Sequence, residues 1–359
     1  MKILLLEYIT AGGLCDQPLP DYLLGEGLLM RDALFADFSE IADVEILTTY
    51  DVRVGLPKHA NVALPLDDAS KAMDVWQTLL QSCDYALIIA PEFDGILSTL
   101  TQLVERLGVK NLGARLLAVE LFSNKYSTYY SLKQANILTI PTYSASEFLS
   151  PDFFKRHASH IDEFNNGCVA KPIDGAGCGD TYYFSNAAAL QSWLSAPTQL
   201  VSQSRYIIQP YQAGIPASIS MLCKAGAAWV LSCNQQLVEI NRTDCDELNV
   251  FHAPIQYKGF LVNGLISQYD IFEAVAKKIA ATFSELNGYI GVDVIINNDE
   301  IFVVEINPRI TTSYIALRES LNCNPAKLIL DLTLTESPNA TFKLPENLTT
   351  NTVSIHINE

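Results

Sequence analysis

The segment IFVVEINPRITTSY, residues 301–314, begins as an apolar strand and then places Glu305, Asn307 and Arg309 at alternate positions. Alternate side chains of a strand lie on one face, so these three should form a polar row directed at a common point. Such a row after a buried strand predicts a site for a polar ligand.

Asp293 lies on the preceding apolar strand, IGVDVII, and the two strands predict a hairpin. Asp293, Glu305 and Asn307 offer oxygen ligands, which hard divalent cations take together with nucleotide phosphates. Sharing one face requires Asp293 to pair with Glu305. We therefore expect a hairpin loop of odd length, most simply residues 298–300, because a two-residue turn would send Asp293 to the opposite face. An edge hairpin with solvated carboxylates is the alternative.

Composition limits the function of the chain. Its 359 residues are enough for two or three subdomains, and 49% of them are hydrophobic. The net charge of -17 argues against nucleic acid or an anionic membrane surface as the main partner. Eight cysteines occur without a C-x-x-C pair, which favours reduced thiols in a cytoplasmic protein. Neither a signal-peptide core nor an apolar run of membrane-spanning length is present.

The first third of the chain alternates apolar runs with amphipathic stretches. The runs are residues 2–8, 44–50 and 85–91. This rhythm predicts βαβ units around a parallel sheet, at whose carboxyl edge Glu7, Gly12, Gly13, Glu92 and Asp94 could line one crevice. A tight glycine turn and two carboxylates at helix starts are the alternative. The rhythm changes after Ala114 to a mixture of hairpins and helices, so we place a domain boundary near residue 112, giving domains 1–112 and 113–359.

A lysine and three glycines mark a candidate phosphate site. Lys171 ends a predicted strand, and Gly175, Gly177 and Gly179 follow at alternate positions. Glycines allow backbone N–H groups to approach phosphate oxygens, and the lysine supplies a charge. The P-loop pattern is absent, so a glycine-rich flap between two strands is the better comparison. A plain hairpin turn is the alternative for the glycines alone. Lys125 would lie in the first turn of a helix capped by Ser123, an unfavourable place for a cation that suggests a binding role.

Together, these residues resemble the ATP-grasp superfamily, and the resemblance covers most of the chain. Lys125 and Lys171 resemble its two nucleotide lysines, and the segment IIQPY resembles the linker between its two lobes. Asp293, Glu305 and Asn307 resemble its metal-binding set. The resemblance implies an α/β fold, α+β in its catalytic part, with an N-terminal pre-ATP-grasp domain and a lid subdomain at about residues 137–208.

The same resemblance implies the ligands. ATP would bind with its adenine against the backbone of Gln209, Pro210 and Tyr211, and Mg²⁺, with Mn²⁺ as the alternative, would bind the metal set. Many family members carry a glutamate where Gln209 stands and another further on for the ribose. Gln212 and Ser218 are the ribose candidates here.

Three longer phrases resemble a narrower group, the tyramine:glutamate ligases of methanofuran-type cofactor synthesis and their bacterial relatives. They are EYITAGG (7–13), APEFDGILSTLTQLVE (90–105) and EINPRITTSY (305–314). This resemblance implies an ATP-dependent ligase that joins a carboxylate to an amine through an acyl phosphate, releasing ADP and phosphate. Glutamate with tyramine or tyrosine are the candidate substrates.

Arg309 is the candidate for stabilising the transferred phosphoryl group and the acyl phosphate, with an ion pair to Glu305 or a neighbouring acid as its alternative role. A dipeptide ligase of the same chemistry and a regulatory module that binds ATP without catalysis both remain open, as does a homodimer.

Overall fold

The computed structural model describes residues 1–157, 164, 166–175, 178–196, 205–240, 252–335 and 342–357. Its N-terminal part is a sheet of five parallel strands in the order β3-β2-β1-β4-β5. The strands are β1 (Lys2–Glu7), β2 (Glu45–Asp51), β3 (Val62–Leu66), β4 (Tyr85–Ile89) and β5 (Lys110–Asn111). The connecting helices are α1 (Asp21–Ser39), α2 (Ala72–Leu80) and α3 (Ile96–Arg106). Residues 3–6 of β1 are fully buried, as a central parallel strand covered on both faces should be.

The rest of the chain forms an antiparallel sheet in the order β14-β13-β10-β11-β12-β8-β7-β9-β6, with β15 paired to β12. The strands are β6 (Tyr143–Ser144), β7 (Cys168–Pro172), β8 (Tyr182–Phe184), β9 (Tyr206–Pro210), β10 (Ile215–Lys224), β11 (Ala227–Ile240), β12 (His252–Val262), β13 (Gly288–Asn297), β14 (Glu300–Asn307) and β15 (Val353–His356). The helices are α4 (Leu116–Phe122), α5 (Lys125–Gln134), α6 (Ala145–Phe148), α7 (Phe153–Arg156), α8 (Ala187–Leu194), α9 (Tyr269–Thr282), α10 (Leu317–Leu321) and α11 (Pro325–Leu334). The predicted fold class, a parallel-sheet domain followed by an α+β part, is confirmed.

Strands β6 to β9 and helices α6 to α8 surround an apolar core of their own. This core runs from Tyr143 to Ile208 and consists largely of aromatic and aliphatic side chains, among them Phe148, Phe153 and Phe184. His252 packs on the rings of Tyr182, Phe184 and Trp193 rather than facing a ligand. Because this apolar core is separate from the others, we propose that a lid subdomain is formed by about residues 137–208.

The two larger apolar cores each combine residues of both sheets. One joins Leu4 and Leu6 of β1 to Val292 and Ile306 of the last hairpin. The chain at Leu112 also packs closely against β13, because a Cβ at Gly288 would lie 2.1 Å from the carbonyl oxygen of Leu112. The N-terminal sheet therefore holds a fixed position against the hairpin. No helix among the described residues has both the length and the apolar character to cross a membrane.

Candidate active site

The hairpin of β13 and β14 opposes Asp293 to Glu305 in a way that the sequence did not predict. The predicted three-residue loop is wrong, since Asn297 pairs with Glu300 around a two-residue turn. A β-bulge between Asp293 and Val294 then shifts the register by one residue, so that Val294 pairs with Val303 and Asp293 pairs with Glu305. One extra residue in a bulge changes the face of the hairpin on which the following side chains lie, just as one extra residue in the loop would.

The three proposed metal ligands lie together. Asn307 Nδ2 donates a hydrogen bond of 3.0 Å to Asp293 Oδ2, and Gln236 Nε2 on β11 donates one of 2.8 Å to Asp293 Oδ1. Burial and the neighbouring Glu305 raise the pKa of Asp293. Two adjacent buried carboxylates suit a divalent cation, which would relieve their repulsion. The described residues contain no group of three or more His, Cys, Asp or Glu side chains arranged for a metal.

Both candidate phosphate lysines lie beside Glu305. Lys125 Nζ is 3.2 Å from Glu305 Oε2 and also donates to the carbonyl oxygen of Gly175 at 3.0 Å. Helix α5 begins at Lys125, and its cap is Asn124 rather than Ser123, because the Asn124 side chain accepts hydrogen bonds from the Tyr126 and Ser127 amides. Burial lowers the pKa of Lys171, while Glu305 opposes that shift. Despite the effect of burial, Lys125 and Lys171 lower the pKa of Glu305.

The glycine-rich segment lies next to the two lysines. Gly175 has φ of +129°, and a Cβ built there would meet no atom within 4 Å, so its backbone is open to a ligand. Gly179 lines the same cavity. Gly177 lies outside the described residues. Cys178 lines this cavity together with Asp293 and Glu305, and burial and these two carboxylates raise the pKa of its thiol to about 12.

The proposed adenine linker lines the same cavity through Gln209, Pro210 and Tyr211. The Gln209 side chain is buried and donates to Thr142 Oγ1 at 2.8 Å, so it holds the linker rather than facing outward. The amide N–H of Tyr211 donates to Gly167. The candidate ribose residues, Gln212 and Ser218, also line the cavity, and Ser218 Oγ accepts a hydrogen bond from Asn234.

Arg309 is held by a buried carboxylate of the N-terminal domain. Its Nε and Nη2 atoms lie 2.7 and 3.0 Å from the two carboxylate oxygens of Glu92, in a bidentate pair. Nη1 donates to the carbonyl oxygen of Ile310. The ion pair that we gave as the alternative role thus exists, with Glu92 as the partner. Because Nη1 and Nη2 each carry a second hydrogen, the guanidinium can still donate into the cavity.

The proposed phosphate, adenine and metal residues, apart from the undescribed Gly177, line one cavity of about 520 Å³ together with Arg309. Glu7, expected at the carboxyl edge of the parallel sheet, lines the cavity. The sequence did not predict that Leu23, Glu26 and Met30 of α1 also face the site. Their spacing of three and four residues is the signal that could have found this face. Burial raises the pKa of Glu26 to about 7, and Arg309 only partly counters the shift.

The geometry agrees with comparisons to known proteins. Residues 122–313 match a family model described as an ATP-grasp domain, and residues 44–119 match a pre ATP-grasp 3 domain. The chain therefore belongs to the ATP-grasp family and is an ATP-dependent ligase.

Particular relatives give a finer likeness. Over 319 residues the chain is 30% identical to tyramine–L-glutamate ligase of Methanocaldococcus jannaschii, covering 88% of this chain and 84% of the relative. A crystal structure of the ATP-grasp superfamily from Archaeoglobus fulgidus superimposes with a TM-score of 0.64 at 22% identity, covering 100% of both chains. L-amino acid ligase from Bacillus licheniformis superimposes with a TM-score of 0.62 at 15% identity, covering 92% of this chain and 73% of that one. At these identities the two structures show the shared fold.

Proposed function

We propose that the protein joins a carboxylate to an amine through an acyl phosphate, with release of ADP and phosphate. The observation that carries the proposal is the convergence, in one cavity, of two lysines on a carboxylate pair, with Arg309 on the same wall. Catalysis of phosphoryl transfer consists mainly of positioning and charge stabilisation, which these groups can supply.

Each group has a proposed role. Lys125, Lys171 and the backbone of Gly175, Gly177 and Gly179 bind the phosphates of ATP, while the linker of Gln209, Pro210 and Tyr211 binds adenine. Asp293, Glu305 and Asn307 hold Mg²⁺ or Mn²⁺, which supplies charge neutralisation to the phosphates. In the structure, Lys125 pairs with Glu305, an interaction that nucleotide and cation would replace with phosphate and metal contacts.

Arg309 has the role of meeting the charge that develops on the transferred phosphoryl group. Glu92 fixes the plane of its guanidinium, so the remaining N–H groups of Arg309 point in a set direction. The carboxylate oxygen attacks the terminal phosphorus of ATP. The amine then attacks the acyl carbon, and phosphate leaves with the bridging oxygen.

The substrates we propose are glutamate with tyramine or tyrosine. Support comes from the M. jannaschii relative, whose name gives tyramine and glutamate. Joining two amino acids is the second candidate, and the structural neighbour described as an L-amino acid ligase favours it.

ADP release from the purified protein tests the proposal. Release should require ATP, Mg²⁺, a carboxylate and an amine together, and pairing glutamate with tyramine, tyrosine and ordinary amino acids separates the two candidates. Lys171→Ala should lower the release at limiting ATP, whereas Lys58→Ala, at an exposed loop position, should not. ATP binding without substrate-dependent ADP release across the panel would instead support a regulatory module.

A further inference from the structure

Helix α1 presents one face to the cavity. Leu23, Glu26 and Met30 line the cavity from this face. The helix passes close over the end of β1, because a Cβ at Gly27 would lie 2.9 Å from a carboxylate oxygen of Glu7. The position of Glu26 is therefore set by the packing of its own helix.

Glu26 differs from most carboxylates that line or support this cavity. Four of the others have partners: Glu7 accepts from the Ile9 and Thr10 amides, Glu92 pairs with Arg309, Glu305 pairs with Lys125, and Asp293 accepts from Gln236 and Asn307. Asp174 also lines the cavity, and among the described residues its buried Oδ1 has no hydrogen-bond partner. Within the part of the chain that the structure describes, the Glu26 carboxylate has neither a hydrogen bond nor an ion pair. Arg309 is the cation that lowers the pKa of Glu26, but its Nε and Nη2 atoms are directed at Glu92.

An unpaired carboxylate in a partly dehydrated wall is costly to keep charged. Burial accordingly raises the pKa of Glu26 to about 7. Tyr257 on β12 lines the same cavity, and burial and the Glu26 carboxylate both raise the pKa of its hydroxyl. A cationic ligand in the cavity would give Glu26 the counter-charge that the chain does not provide.

We propose that Glu26 binds a primary ammonium group of a substrate, an inference that rests on the function proposed above. The ammonium can come from two sources, the α-ammonium of an amino acid that supplies the carboxylate, or the incoming amine before it loses its proton. The apolar side chains of Leu23 and Met30 beside Glu26 would contact the hydrocarbon part of either molecule.

Calorimetric titration in the presence of Mg²⁺ and ADP tests this assignment without any turnover. Glutamate and tyramine are titrated into the parent protein, Glu26→Gln, Glu26→Asp and the control Glu120→Gln, which makes the same change at an exposed position. Glutarate and tyrosol, in which the ammonium is absent or replaced by a hydroxyl, serve as matched ligands.

The parent should bind one ammonium compound at least tenfold more tightly than its matched ligand, and Glu26→Gln should lose that preference. Glu26→Asp should keep part of it, and Glu120→Gln all of it. If Glu26→Gln loses the preference for glutamate over glutarate, Glu26 binds the α-ammonium. If it loses the preference for tyramine over tyrosol, Glu26 binds the incoming amine. The affinity for ADP should stay within twofold in each variant, and Glu26→Gln should not melt below the parent.

Two results would overturn the assignment: a parent that prefers neither ammonium compound over its matched ligand, or a Glu26→Gln variant that keeps the preference. Substrate-dependent ADP release is measured on the same preparations. A parent that binds ammonium through Glu26 and releases no ADP would contradict the proposed ligase reaction alone.

Discussion

Arg309 and Glu92 form a buried ion pair that links the proposed catalytic group to the N-terminal domain. We expect Glu92→Gln to lower turnover about 10- to 100-fold, because an amide cannot hold the guanidinium by two charge-assisted hydrogen bonds. The affinity for ATP should change less than threefold, since Glu92 does not line the cavity. Steady-state kinetics and ATP titration measure the two effects, with Glu120→Gln as the control. An equal loss in both would place Glu92 in nucleotide binding instead.

Glu26 allows a prediction of stability against pH. Its pKa is raised from 4.5 to about 7 in the folded protein. The folded state therefore binds the proton more tightly than the unfolded state, so the parent loses stability as pH rises from about 4.5 and the loss levels off above 7. Glu26→Gln should avoid this loss and be about 1 to 3 kcal/mol more stable than the parent at pH 8, with little difference at pH 4.5.

Urea unfolding at both pH values measures this difference. A Glu26→Gln variant less stable than the parent at pH 8 would mean that the carboxylate has a structural partner. If the carboxylate instead serves ligand binding at a cost in stability, the Glu26→Gln variant should be more stable than the parent at pH 8.

At the scale of elements, the two lysines approach one carboxylate from different parts of the chain, Lys125 from the start of α5 and Lys171 from β7. We expect Lys125→Ala and Lys171→Ala each to weaken ATP binding by about 1.5 to 3 kcal/mol, or one to two decades, because each removes a charge-assisted phosphate contact. Fluorescence titration with a nucleotide analogue measures this, with Lys58→Ala as the control. Unchanged affinity in both variants would place ATP elsewhere.

The last hairpin shows how far the sequence predicts an element. The alternation of Glu305, Asn307 and Arg309 was sufficient to predict a polar row, and the structure brings Asp293 against Glu305. The mechanism of that pairing was not predicted, because a bulge and an odd loop leave the same alternation pattern on the strand. Only tertiary packing decides between them.

Contacts between elements that are far apart in the sequence were harder to predict. Glu92 was expected at the carboxyl edge of the parallel sheet, but its pairing with Arg309 joins residues 217 positions apart, and no local pattern encodes that contact. The cap of α5 at Asn124 rather than Ser123 shows the ordinary uncertainty of one residue at a helix end.

For the whole molecule, both domains contribute to one cavity. The ATP-grasp domain carries the lysines and the carboxylate pair, while the N-terminal domain contributes Glu26 directly and Glu92 through Arg309. We therefore propose that the N-terminal domain serves substrate binding and the alignment of Arg309, and the larger domain serves nucleotide binding.

The measurement that tests this account most directly follows the oxygen atoms of the carboxylate. When the carboxyl group of the substrate is labelled with ¹⁸O, mass spectrometry of the released phosphate reports whether an acyl phosphate formed. The account predicts ADP and a phosphate that carries one labelled oxygen, because the bridging oxygen leaves with phosphorus when the amine attacks the acyl carbon. Pyrophosphate together with labelled AMP would contradict it, since those products require attack on the α-phosphorus.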